Sequence, residues 1–221
     1  MTDPHYYELR IYEVAQSRLL GLRQQMEKDV PPIFRRLGFN KPLVKYQGVG
    51  GPFGPIYGYV LRWANLDERM QAWDRFYADP EWIGAMQASY QGEQRVERSH
   101  ISILRASPTW SRFRTQDNAP VGGIYELRRH DCSGQPREAA TAQLEAQLAE
   151  LEQAGATVLG VLDTVLGGPM QRSISFVAWP DARALARHGG FGHVGAPAHE
   201  SFILRPTEDG CAQSNLAAQP W

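Results

Sequence analysis

The sequence predicts an α+β protein made of two tandem units, each with the order βαββαβ, that pair sheet to sheet. The prediction depends on an internal repeat. The tetrapeptide YELR begins at Tyr7 and again, 118 positions later, at Tyr125. In both copies a GGP loop precedes a strand that ends in tryptophan, at Trp63 and at Trp179. Collinear matches of this kind indicate one duplicated unit, and such a repeat decides how the rest of the chain is interpreted.

A third pair of matches closes the two copies and sets the domain limits. The tripeptide ILR ends the last strand of each unit, at 103–105 and at 203–205. The shift has therefore fallen from 118 to 100 positions, so the second copy has lost residues before its last strand. We predict a first unit at 1–106, a linker at 107–121, a second unit at 122–206 and a polar tail at 207–221.

The first unit begins with a strand and a long helix. Residues 6–14 alternate in character and are rich in Tyr, Leu, Ile and Val, which is typical of a strand. Apolar residues then recur at helical spacing, and Gly38 is a suitable end for that helix. Pro31 and Pro32 lie inside it and remove two backbone donors, so we expect a kink or two helical pieces.

The rest of the first unit follows from loop and cap signals. Glycines and prolines separate two short apolar runs, so these are predicted to be strands. Asp79 and Pro80 are typical of a helix N-terminus, with a capping carboxylate before proline at the first helical position. The predicted elements are strands at 42–49 and 56–64, a helix from Asp67, a second helix from Asp79-Pro80, and a strand at 97–106.

The second unit repeats this order with a shorter second helix. The predicted elements are a strand at 123–131, a helix from Pro136 to Gly155, strands at 157–166 and 172–179, a short helix from Asp181, and a strand at 199–205. In this split βαβ arrangement four antiparallel strands carry both helices on one face. The other face needs a cover, and a second sheet of the same size supplies one. Whether the units pair within one chain or between chains stays open.

Composition excludes several classes of protein. Of 221 residues 23 are Lys or Arg and 24 are Asp or Glu, so the formal net charge is −1 and no basic field for nucleic acid is expected. No run approaches the roughly 18 apolar residues of a membrane span, and the start lacks a secretory signal. We therefore expect a cytoplasmic protein. Two cysteines without a CxxC motif indicate neither a disulfide framework nor a thiolate metal site, and Cys132 is interpreted as a free thiol.

At this point the chain resembles a known family. The strand ELRIY at 8–12, the GGPFGP loop before a strand ending at Trp63, and the DPEW motif at 79–82 are similar to those of the NIPSNAP family. The resemblance implies the dimeric α+β barrel fold, in which ferredoxin-like units pair sheet to sheet. That superfamily includes cofactor-independent monooxygenases, isomerases and haem proteins. In the second copy the strand reads ELRRH and no DPEW motif follows, so the two copies have diverged.

The repeated strand supplies the main candidate site. Alternation places Glu8, Arg10 and Tyr12 on one face and Leu9 and Ile11 on the other. We expect the apolar pair to pack against the helices and the polar trio to face the barrel interior. There Arg10 could hold an anionic group while Tyr12 moves a proton. The alternative is that the Glu and Arg form ion pairs that fix the register between the halves.

The second copy places Glu126, Arg128 and His130 on the same predicted face. His130 replaces the tyrosine at position 12, and imidazole titrates near neutral pH where phenol does not. The candidate catalytic residues are therefore His130, Tyr12, Glu8, Glu126 and His100. The candidate substrate-binding residues are Arg10, Arg128, Arg62 and Tyr59.

A glycine-rich stretch carries three histidines, His188, His193 and His199. Their spacing is unlike that of familiar metal sites, so we predict no metal or other cofactor and treat haem or metal binding as a minor alternative. The glycines would suit a lid over a cavity.

Two functions are compatible with these sequence features. The first is a small-molecule enzyme or binder that uses a polar cavity inside the barrel for acid–base or cofactor-independent oxygenase or isomerase chemistry, on a small anionic or aromatic metabolite. The second is a non-catalytic partner-binding protein whose barrel is a scaffold, with an exposed apolar patch around Trp73, Trp82 or the tail. Assembly into a homo-oligomer is compatible with both.

Overall fold

The computed structural model describes residues 4–90, 95–110, 123–132, 134–169, 171–188 and 199–207. In the first unit the strands are β1 (Tyr6–Val14), β2 (Val44–Gly50), β3 (Ile56–Trp63) and β4 (Val96–Ala106). The helices are α1 (Leu19–Gln24), α2 (Val30–Arg36), α3 (Leu66–Tyr77) and α4 (Pro80–Tyr90).

The two prolines of the first helix coincide with a change in helical winding. A single 3₁₀ turn (Gln16–Arg18) leads into α1, and a π turn (Gln25–Asp29) joins α1 to α2. The backbone N–H of Val30 donates to the carbonyl of Gln25, five residues back. Since Pro31 and Pro32 have no N–H to continue the ordinary ladder, the wider turn ahead of them lets the chain stay helical.

The second unit has the same order of elements. Its strands are β5 (Ile124–Asp131), β6 (Thr157–Leu166), β7 (Arg172–Trp179) and β8 (His199–Pro206). Its helices are α5 (Arg137–Gln153) and α6 (Ala182–Arg187). The short helix starts where the side chain of Asp181 caps it by accepting from the N–H of Ala184. The expected linker from residue 111 onward and the tail beyond residue 207 lie outside the described residues.

The eight strands form one closed antiparallel barrel in the order β1-β3-β2-β8-β5-β7-β6-β4. Each unit contributes four adjacent strands, and the two sheets meet at two junctions, β2–β8 and β4–β6. The α+β fold with two sheets paired into a barrel is therefore confirmed, and the units pair within a single chain. None of the described helices combines the length and apolarity needed to cross a membrane.

Side chains fill the barrel interior. Tyr7, Leu9 and Ile11 of β1 belong to one buried cluster together with side chains of the opposite sheet, among them Leu127 and Phe202. The strand therefore faces the other way from our expectation. Its apolar residues point into the barrel, and its polar residues lie on the side that the helices cover.

Candidate functional site

The polar face of β1 is organised around Glu8, whose exposed fraction is 0%. Its carboxylate accepts from the indole N–H groups of Trp63 and Trp73, both at 2.9 Å. It also accepts from Arg10 Nε and Arg69 Nη2, both at 2.8 Å. Burial raises the pKa of Glu8, but the two guanidinium groups and the indole donor lower it more, so the net shift is downward. Glu8 is a fixed anion with four donors, and it does not line the cavity described below.

Glu8 in turn fixes the guanidinium of Arg10. The group lies over the Trp73 ring, 3.5 Å from its centroid, in a cation–π contact. Nη1 donates to the hydroxyls of Tyr12 and Tyr77, both at 3.2 Å. Burial lowers the pKa of Arg10, but the phenol groups and Glu8 raise it more, so it stays a cation. Within the described part of the chain Nη2 has no hydrogen-bond partner, which leaves its two N–H groups for a ligand.

Three phenol groups complete the polar cluster. The hydroxyl oxygens of Tyr12 and Tyr59 are 2.9 Å apart. Burial raises the pKa of Tyr59 well above its ordinary value, so its hydroxyl stays protonated. Tyr77 is stacked on Trp73 and is 53% exposed, which places it between the buried cluster and solvent.

The cluster borders a cavity of about 260 Å³ between the sheet and the helices of the first unit. Its polar lining is supplied by Arg10, Tyr12, Gln25, Tyr59, Tyr77, Arg95 and Ser99. Its apolar lining is supplied by Leu22, Met26, Val30, Phe34, Trp73, Phe76, Trp82, Met86, Val96 and Ile101. Among the residues that the structure describes, this lining contains two guanidinium groups and no carboxylate, so the cavity favours an anionic or aromatic ligand.

Several groups of this site were not predicted from the sequence. Arg69, Trp73 and Tyr77 lie on α3, and none of them was among the predicted site residues. Gln25 lines the cavity because it begins the π turn, and π turns often occur at functional sites. One sequence signal could have indicated part of this site. A glutamate and a tryptophan recur at equivalent positions in both copies, and a buried indole N–H needs an acceptor.

In the second unit the corresponding polar face also lies under a helix. Glu126 accepts from Trp179 Nε1 at 3.1 Å and from Ser201 Oγ at 2.6 Å, while Arg128 Nε is 3.6 Å away. Burial lowers the pKa of Arg128, and Glu126 offsets only part of that effect. Buried His130 has its Nε2 2.9 Å from Ser175 Oγ.

The structure does not bring His130 and Arg10 into one cavity. His130 borders a small space of about 20 Å³ beside α5, whereas Arg10 borders the cavity of the first unit. The polar cavity shared by both copies that the sequence predicted is therefore not formed, since Arg10 and His130 border separate spaces.

Two further candidates lie away from the Arg10 cavity. His100 is paired in register with Ile11, which faces the barrel interior, and its Nε2 is 2.5 Å from Glu13 Oε1. It is also stacked on Phe53. Arg62 is in register with Tyr7, so it lies on the opposite face of β3 from Tyr59.

The histidine series gives no cofactor site in the described residues. His188 lies against the Trp179 ring at 5.4 Å, His199 is in register with His130, and His193 with the glycines around it lies outside the described residues. Among the described residues no three His, Cys, Asp or Glu side chains could hold a metal ion together. Haem binding would need a histidine in the cavity, and the described residues that line the Arg10 cavity include none.

The DPEW motif has a structural role. Asp79 Oδ1 accepts from the N–H groups of Glu81 and Trp82, so it caps α4. Both carboxylate oxygens also accept from the guanidinium of Arg36, at 2.8 and 3.0 Å. The motif thus ties α4 to the end of α2 and places Trp82 at the cavity wall.

Comparisons with known proteins agree with this fold. Residues 7–111 match the family model described as NIPSNAP. A solved structure described as an anthrone oxidase-like protein aligns over 94% of this chain and 94% of its own, at 11% identity and a TM-score of 0.59. A proposed monooxygenase from Fusobacterium nucleatum aligns over 100% of both chains, at 9% identity and a TM-score of 0.55. At such identities the likeness establishes the fold alone. A search of curated proteins finds no match.

Proposed function

We propose that this chain, whose residues 7–111 form a NIPSNAP domain, binds a small aromatic metabolite with an acidic oxygen between the sheet and helices of that domain and promotes proton transfer on it. The observation that carries the proposal is the Arg10 guanidinium in the wall of a 260 Å³ cavity to which the described residues contribute no carboxylate. The location differs from the barrel interior expected from the sequence, but the residue roles are similar.

Binding follows from the charge and shape of the cavity. Glu8 balances only part of the positive charge of Arg10 and Arg69, which both contact it. An anionic oxygen would accept from Arg10 Nη2 and from a neighbouring phenol, because charge-assisted hydrogen bonds are the strongest available there. The aromatic side chains of Phe76 and Trp82 would pack against the ring of the ligand.

Proton transfer is assigned to Tyr12. Its hydroxyl lies between Arg10 Nη1 and Tyr59. Since Tyr59 stays protonated, it can donate to Tyr12, and the proton of Tyr12 is then free for the ligand. The guanidinium stabilises the negative charge that develops on either oxygen during the transfer. Glu8 acts as a positioning residue, because it fixes Arg10 without touching the cavity.

The ligand loses the proton of its acidic oxygen to solvent as it binds to Arg10, and Tyr12 then supplies a proton to the intermediate. Two outcomes are available to the ligand anion. It can take a proton at another carbon, which is isomerisation, or it can transfer an electron to O₂ and then combine with it, which is cofactor-independent oxygenation. Because solved structures with the same fold are described as an anthrone oxidase-like protein and a proposed monooxygenase, the second outcome is the one to test first. In this proposal Glu126, Arg128 and His130 have a supporting role, since the space beside His130 is too small for a metabolite.

The partner-binding alternative has weaker support. A barrel filled by side chains is what a scaffold would have, and the interior is filled. However, Trp73, which that alternative places on an exposed patch, is only 5% exposed and packs beneath Arg10.

The test compares equivalent arginines of the two repeats. Tryptophan fluorescence quenching measures binding of hydroxylated arenes and anthrone, and an oxygen electrode measures turnover. We expect Arg10→Gln to weaken binding at least tenfold, as loss of a charge-assisted hydrogen bond implies. Arg128→Gln should change it less than about twofold, since Arg128 does not line the cavity. Equal losses in both variants, or no binding of any acidic arene by the unmodified protein, would refute the proposal.

A further inference from the structure

We infer that the second unit holds a separate binding site for a small hydroxycarboxylate, at the β4–β6 junction beside the first turn of α5. A cavity of about 230 Å³ lies there. Its polar lining includes Thr109, Cys132, Arg137, Asp163, Thr164 and Arg172. It is not the repeat copy of the Arg10 cavity, because Arg128, the equivalent of Arg10, is absent from its lining.

Three buried polar atoms of the lining have no hydrogen-bond partner in the described part of the chain. They are Thr109 Oγ1, Thr164 Oγ1 and Arg172 Nε. Thr109 is 0% exposed and Thr164 is 8% exposed, so bulk water does not satisfy them. Buried polar groups without partners are rare and costly. Three at one cavity indicate that the cavity is built to be filled by a molecule that hydrogen-bonds.

The charge around the cavity selects a carboxylate. Arg137 and Arg172 both line it. The 17-residue helix α5 begins after Pro136, and no described side chain caps this end, where Arg137, Ala140 and Thr141 border the cavity. An uncapped helix N-terminus presents free N–H groups and a partial positive charge, both of which favour an anion.

One acidic side chain in the lining adds the requirement for a hydroxyl. Asp163 accepts from Ser173 Oγ at 2.8 Å and lies 3.6 Å from Arg137 Nη2. It would repel a second carboxylate but can accept from a hydroxyl group of the ligand. The threonine hydroxyls can donate to the same molecule. A small carboxylate that also carries a hydroxyl satisfies this set of donors and acceptors.

The strand positions around this cavity differ between the two units, which are related here by a shift of 116. The residues that correspond to Asp163, Thr164, Arg172 and Ser173 are Gln47, Gly48, Ile56 and Tyr57. Ile56 and Tyr57 are both fully buried, and a Cβ atom added to Gly48 would collide with Ile56. At three of these four positions the second unit thus has a polar residue where the first unit has glycine, isoleucine or a buried tyrosine.

Cys132 provides a reporter inside this cavity. It is a free thiol in the lining, and burial together with Asp163 and Asp131 raises its pKa, so alkylation is followed in alkaline buffer. The full-length protein with Cys211→Ser is alkylated with and without matched acids that differ by one hydroxyl. The pairs are glycolate and acetate, lactate and propionate, and malate and succinate, with inorganic phosphate as a further anion. Mass spectrometry gives the alkylation rate.

The expected result is protection of Cys132 by at least one hydroxy acid, at a concentration at least tenfold below that of its unhydroxylated partner. Arg172→Ile, which restores the residue of the first unit, should raise that concentration at least tenfold. Thr109→Val should raise the protecting concentration several-fold. This substitution removes only a hydroxyl group, so it tests the site even if Arg172→Ile does not fold. Arg98→Ile, an exposed arginine of the first unit, is the control and should leave protection unchanged.

Three results would overturn the inference. The first is an alkylation rate that no hydroxy acid changes, which would leave water as the only occupant. The second is equal protection by each hydroxy acid and its partner, or by phosphate, which would refute the ligand class. The third is protection that survives both Arg172→Ile and Thr109→Val.

Discussion

Replacing Glu8 with glutamine removes the anion around which the first unit is arranged. Two guanidinium groups and two indole N–H groups donate to the Glu8 carboxylate, which is shielded from water. An amide keeps one acceptor oxygen, turns an NH₂ group toward donors and leaves Arg10 without its ion-pair partner. Breaking a buried ion pair costs about 3–5 kcal/mol, so the free energy of unfolding should fall by that amount.

Glu126→Gln is the matched control. Glu126 occupies the equivalent position but accepts two hydrogen bonds from neutral donors, and its arginine is 3.6 Å away. Its loss should cost about 1–3 kcal/mol. Urea denaturation of both variants, followed by far-UV circular dichroism, measures the difference. Equal destabilisation, or a cost below about 1 kcal/mol for Glu8→Gln, would refute the reasoning about four converging donors.

The same carboxylate gives a pH dependence with a definite sign. The pKa of Glu8 is lowered in the folded protein from its ordinary value of 4.5. A depressed folded pKa contributes stability that is fully present above the unfolded value and is lost as pH falls toward the folded value. The unmodified protein should therefore lose stability below about pH 4.5 more steeply than Glu8→Gln. Parallel stability curves for the two proteins below that pH would contradict the assignment.

Two further substitutions test the packing and the caps. Gly58→Ala places a Cβ atom about 2.5 Å from the phenol of Tyr46 inside the filled barrel, so the free energy of unfolding should fall by about 1–3 kcal/mol. The control is Gly84→Ala, whose Cβ atom meets open space in α4 and should stabilise the protein instead. Thermal unfolding that ranks the two variants in the reverse order would show that the interior is not full. Asp79→Ala removes the cap of α4 and the bidentate ion pair between Asp79 and Arg36. The hydrogen bond from Arg36 lowers the pKa of Asp79, so Asp79 is ionised above pH 4 and the substitution should lower Tm there. No change in Tm would mean that the DPEW motif does not act through this cap.

Local signals predicted the elements of this fold well. Asp181 and the Asp79-Pro80 pair marked the starts of their helices to within a residue, because a cap depends on neighbouring backbone groups alone. The duplicated landmarks predicted two paired units, and the closed barrel confirms them. The π turn was not foreseen, since its cause is the combination of two prolines with a helix that packs on the sheet.

The direction in which β1 faces could not be taken from alternation. Both faces of this strand are buried, one against the opposite sheet and one against helices, so a polar row marks no particular side. What decides the matter is the set of donors from distant residues, Trp63 on β3 and both Arg69 and Trp73 on α3. Such long-range compensation of a buried charge has no local sequence signature, apart from the glutamate–tryptophan pair that recurs as Glu126 and Trp179.

The most direct test of the proposed function is a crystal structure of the protein with an acidic arene that quenches its fluorescence. The anionic oxygen should lie within hydrogen-bond distance of Arg10 Nη2 and of Tyr12 or Tyr77, with the ring between the sheet and α4. A ligand bound inside the barrel, or one that makes no contact with Arg10, would contradict the proposal.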